Sequence, residues 1–99
     1  MELTKEQQVL GLVVYKIENP SHRSVKSDDS IDNIYIHFEM DGKDNHFTLL
    51  HFLSVVAGTL DQFCVSFYNE ENDEFEGEWV EKEEILEILV KGDFTVQSH

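Results

Sequence analysis

The residues that most restrict the fold lie between 62 and 90, where the side-chain period changes twice. Residues 62–68 alternate strictly, with Phe63, Val65 and Phe67 facing one way and Cys64, Ser66 and Tyr68 the other. Residues 69–74 supply a polar turn. Residues 75–80 alternate again, Phe75, Gly77 and Trp79 against Glu76, Glu78 and Val80, as an antiparallel return strand would. From Glu81 the spacing becomes helical, with Ile85, Leu86, Leu89 and Val90 in one stripe that ends before Gly92. A hairpin followed by an amphipathic helix has one economical solution, with the helix lying on the apolar face of the strands.

A similar succession stands upstream. Residues 33–40 alternate Ile34, Ile36, Phe38 and Met40 against Tyr35, His37 and Glu39, and Asp41-Gly42-Lys43-Asp44 is a turn signal. A short return through Phe47 is then expected, with Glu39 facing His46 and His37 facing Thr48. Beyond it, Leu49, Phe52, Leu53, Val56, Ala57 and Leu60 form a helical face, with Gly58 near its end. Phe94 and Val96 allow a last short strand. At the amino end, Thr4 and Gln7 have capping-box spacing for a short helix over residues 5–10. The following Leu12-Val13-Val14-Tyr15-Lys16-Ile17 is rich in β-branched and aromatic residues and is read as a strand, with a continued helix as the competing reading. The expected fold is α+β: an antiparallel sheet of four to five strands packed with two main helices, a two-layer single domain over residues 1–99.

Charge is the unusual part of the composition. Seven basic residues face 21 acidic ones, a formal net charge of −14. Ten of the acids fall between Asn69 and Glu87, where Lys82 alone opposes them. Phe75, Trp79, Val80, Ile85 and Leu86 run through the same stretch, and a disordered acidic tail lacks such large apolar residues. A folded surface holding many carboxylates in place is implied, and a partner of opposite charge relieves its self-repulsion. Glu70, Glu71, Asp73, Glu74, Glu76 and Glu78 are the expected partner-binding residues. Trp79 is expected in the core. Lys16, Arg23 and Lys26 put three of the seven basic residues within residues 16–26, around a polar loop over residues 21–32.

Several function classes fall away. Binding nucleic acid through its phosphates needs clustered Lys and Arg, and adhesion to an anionic membrane needs the same. Cys64 is the only cysteine, so no disulfide within the chain is available, and it is read as structural rather than nucleophilic. No signal pattern and no membrane-length apolar run stand out, so a cytoplasmic location is expected. Five histidines (His22, His37, His46, His51, His99) lack zinc-site spacing, and a calcium-loop count from Asn72 to Glu83 fits poorly. No metal or other cofactor is expected, and no catalytic constellation emerges: the chain is not expected to be an enzyme.

In size and charge the chain resembles the small immunity proteins that protect bacteria from their own nuclease toxins, and phage-type DNA mimics. The likeness lies in whole-chain character rather than in any motif. It implies an inhibitor that covers the nucleic-acid cleft of a basic partner, most naturally a nuclease toxin domain. The rival readings are a non-inhibitory acidic adaptor, using the loop around residues 22–26, and a divalent-cation binder.

Overall fold

A computed structural model describes residues 2–19 and 31–98. Helix α1 spans Lys5–Glu18. A single 3-10 turn at Ile31–Asn33 leads into strands β1 (Ile34–Met40) and β2 (Lys43–Thr48), followed by helix α2 (Leu49–Val56). Strands β3 (Gln62–Asn69) and β4 (Glu74–Glu81), helix α3 (Lys82–Leu89) and strand β5 (Phe94–Ser98) complete the order. The five strands form one antiparallel sheet in the order β4-β3-β2-β1-β5. The α+β architecture read from the sequence is present, with the short amino-terminal helix lengthened into a third main one. The loop over residues 21–32 lies almost wholly outside the described residues.

All three helices pack on one face of the sheet, and the core lies between the layers. From the sheet come Ile36, Phe38, Phe47, Phe63, Val65, Phe94 and Val96. From the helices come Val9, Val13, Phe52, Val55, Ile85, Leu86 and Leu89. These are the apolar sides of the alternations and stripes in the sequence. Each strand turns its other side outward.

The expected strand at residues 12–17 is instead the second half of α1. Thr4 accepts from the Gln7 backbone N–H at 3.1 Å, and the Gln7 side chain returns a bond to the Thr4 N–H at 2.9 Å, so the helix starts with two of its end donors satisfied. Once begun, it buries Val9 and Val13 one turn apart and sets Leu10, Leu12 and Ile17 at the core margin. That burial outweighs the β preference of Val13, Val14, Tyr15 and Ile17, each a few tenths of a kcal/mol at most. The helix at residues 49–60 is also shorter than expected, ending at Val56, and Leu60 packs against the core from the connection to β3.

The β1–β2 hairpin closes through Asp41 (φ 56°) and Gly42 (φ 75°), the two left-handed residues of a type I′ turn. With Met40 paired to Lys43, His37 lies opposite His46 and Glu39 opposite Asp44. The anticipated Glu39–His46 and His37–Thr48 pairs are displaced, because a two-residue loop fixes the register two positions away. Asn45, 2 % exposed, secures this turn: its amide donates to the carbonyls of Met40 (3.0 Å) and Lys43 (2.9 Å). Asn45→Ala leaves both carbonyls without that donor in a buried setting. A loss of about 1–3 kcal/mol is expected, read as a lower urea midpoint with unchanged slope.

Candidate binding surface

The β3–β4 register decides which residues the acidic stretch displays. Asn69 pairs with Glu74, Tyr68 with Phe75, Ser66 with Gly77, Cys64 with Trp79 and Phe63 with Val80. Side chains directly opposite share a face, so Phe75 and Trp79 stand on the side of Tyr68, Ser66 and Cys64. That is the side away from the helices. Phe75 is 69 % exposed and Trp79 60 % exposed. The expectation that Trp79 lies in the core is therefore overturned: Phe63, Val65 and Val80 already fill the helix-covered face at this point.

Phe75 belongs to a row of rings across the open face, and Trp79 stands apart from it. Phe75 meets Tyr68 edge-on with ring centroids 5.2 Å apart, and His46 at 5.9 Å. His46 in turn contacts Tyr35 at 5.7 Å and stacks on His37 at 5.2 Å. Trp79 stands 6.0 Å from His51. Gly77, between Phe75 and Trp79 on the same face, presents no side chain. A Cβ built there comes no closer than 3.6 Å to the Val65 carbonyl and 3.8 Å to the Cys64 Sγ. A notch therefore separates two exposed rings.

The six expected partner-binding acids lie near these rings but not all on their face, because Glu74, Glu76 and Glu78 alternate with Phe75 and Trp79 and point to the other side of β4. Glu70, Glu71 and Asp73 occupy the β3–β4 turn, and Glu74, Glu76 and Glu78 lie along β4. The turn is held by local bonds: Asn69 Oδ1 accepts from the Glu71 N–H at 3.0 Å, Asn72 donates to Glu76 Oε1 at 3.2 Å, and Asp73 takes a left-handed φ of 54°. The β1–β2 turn, with Asp41, and the start of β2, with Asp44, lie at the same end of the sheet, and Asp44, Phe75 and Glu70 line one depression there. Asp61 and Glu81 flank Trp79 at the other end of β4.

The structure divides the acidic stretch in two. In α3, Glu83 and Glu87 both bond Lys5 of α1, the first at 3.5 Å, and Lys82 lies 3.8 Å from Glu6. The Glu87 contact holds the Lys5 ammonium above its ordinary pKa and the Glu87 carboxyl below its own, chiefly through their hydrogen bond. By contrast, among the described residues none of the six acids of the turn and β4 has a Lys, Arg or His nitrogen within 4 Å. Lys43, which lines the same depression as Glu70 and Glu71, lies over the Phe67 ring at 4.4 Å to the centroid.

One structural role escaped the sequence reading. His51, in the first turn of α2, sets its Nε2 3.0 Å from the Gln62 carbonyl, with the Cys64 N–H 3.4 Å from the same nitrogen. β2 and β3 pair only at Asn45–Phe67 and His46–Ser66, and the imidazole meets the β3 backbone where β2 has turned away into α2. No spacing rule points to it, since the contact depends on where two strands part.

The calcium-loop count runs through β4, whose alternating side chains point to opposite faces instead of converging. Among the described residues no three His, Cys, Asp or Glu side chains are grouped to hold a metal, and no helix is long and apolar enough to cross a membrane. No protein-family model, curated protein or solved structure matches this chain.

Proposed function

We propose that the protein is a small acidic inhibitor of the immunity type. In this reading it binds a basic protein, most naturally a nuclease toxin domain, and covers the cleft that would otherwise hold nucleic acid. The supporting observation is a division of the acidic stretch: Glu83 and Glu87 of α3 are paired with Lys5, while the six acids of the β3–β4 turn and of β4 have no cation partner among the described residues and border exposed aromatic rings. Unpaired carboxylates in a fixed array speed encounter with a cationic surface and select for it. Aromatic rings at the centre of a polar rim supply the apolar anchors on which tight interfaces depend. The chain contributes no catalytic group and touches neither nucleic acid nor membrane, and it acts in the bacterial cytoplasm.

The test is co-expression with a panel of basic nuclease toxin domains, followed by purification of any complex. Rescue of growth is expected for at least one domain, with a one-to-one complex that lacks nuclease activity and dissociates as salt is raised. Complexes that keep full nuclease activity would refute inhibition, as would growth arrest by every domain of the panel.

A further inference from the structure

β4 is an outer strand of the sheet, and among the described residues it pairs with β3 alone. In an antiparallel ladder alternate residues direct their N–H and C=O groups away from the neighbour. Half of the backbone groups of this eight-residue strand therefore face outward. Sheet edges are usually blunted by lysine, by proline, by a bulge or by brevity. β4 has none of these: its sequence is EFEGEWVE, and its register against β3 is unbroken from Gln62–Glu81 to Asn69–Glu74. Its guard is glutamate alone. In the eight-residue antiparallel overlap of two copies of β4, Glu74 of each lies opposite Glu81 of the other, and in the overlap centred on Gly77, Glu76 lies opposite Glu78, so either register repels a second copy of this chain.

We infer that β4 is a docking edge for an extended segment of the partner, added as a sixth strand, in which Lys or Arg alternates with apolar residues. Charge complementarity and side-chain parity carry this together. On one face of the added strand, basic side chains lie beside Glu74, Glu76 and Glu78. On the other, apolar side chains lie against Phe75 and Trp79 and in the notch over Gly77. Main-chain bonds supply affinity, and the two faces supply selectivity. The inference rests on the reading of the partner as a basic protein and adds the manner in which that protein is held.

Two eight-residue peptides test it, both alternating Lys and Val, one with an ordinary backbone and one N-methylated at every residue. They carry the same charge, but only the first can pair as a strand. At low ionic strength the unmodified peptide is expected to bind at least about tenfold more tightly, the equivalent of one to two net hydrogen bonds. It should also slow hydrogen exchange of the β4 backbone amides. Equal affinity for both peptides overturns strand addition while leaving neutralisation of a basic partner intact. Failure of the unmodified peptide to bind, or protection confined to other strands, also overturns it. Failure of every nuclease to be inhibited, with the peptide result as expected, removes the inhibitory reading and keeps the edge.

Discussion

Phe63→Ala is expected to cost about 3–5 kcal/mol, whereas Trp79→Ala, in the neighbouring strand, leaves the fold nearly as stable as before. Phe63 is fully buried, packs at 4.6 Å from the Phe47 ring, and stacks on Phe52 at 6.4 Å. Its removal leaves a cavity that close-packed neighbours fill only in part. Against a typical total of about 5–15 kcal/mol, such a loss brings a chain this small near to unfolding. The Trp79 ring is 60 % exposed, so truncation removes little buried area, and the loss appears as weaker partner binding. Thermal melts of both variants provide the comparison. Trp79 is also the only tryptophan in the chain, which gives an independent reading on the unaltered protein. Its emission should be red-shifted and readily quenched by acrylamide. A blue-shifted, protected signal would return Trp79 to the core and remove the anchor from the proposed surface.

The triple reversal Glu70→Lys, Glu71→Lys, Glu74→Lys is expected to slow association with the basic partner by about tenfold or more, since steering of this kind spans roughly 10 to 10³ in on-rate. The thermal midpoint should stay level or rise, because the substitutions relieve repulsion among exposed carboxylates. Asp73 is left alone in this design: at φ 54° it occupies a conformation in which Asp is better tolerated than a long side chain. Glu76 is left alone because it accepts from Asn72. Stopped-flow rates at several salt concentrations, for the parent and the variant, give the measurement. Association that ignored both the reversals and the salt would remove electrostatics from the proposed function.

Much of the fold is legible in the sequence because local and global preferences agree. The alternations at residues 33–40 and 62–68 specify which side of each strand is buried, and the stripe from Ile85 to Leu89 specifies how α3 lies on them. Where the two disagree, the residues alone mislead. Leu12–Ile17 has strand chemistry, but the Thr4–Gln7 box and the burial of Val9 and Val13 make it helix. Trp79 is the more instructive case. Size and apolarity suggest the core, yet parity places it outside, because a turn between Asn69 and Glu74 sets Trp79 opposite Cys64 on the polar side of β3. Register outranks hydrophobicity here. The acids of the candidate surface are visible in the sequence, but the separation of paired α3 glutamates from unpaired β4 glutamates depends on Lys5, more than sixty residues away along the chain. That division needs three dimensions.

The narrow seam between β2 and β3 has a mechanical meaning. With two residue pairs and one imidazole joining them, the sheet is built as a three-stranded leaf and a two-stranded leaf sharing one helical backing. Each leaf holds its own register through its own hairpin, so a small change of twist between the leaves disturbs few backbone bonds. The outer leaf carries both the unmatched carboxylates and the open edge. Phe63 of the outer leaf packs on Phe47 at 4.6 Å across the seam, so the two leaves are joined by the side chains of the core more than by backbone bonds.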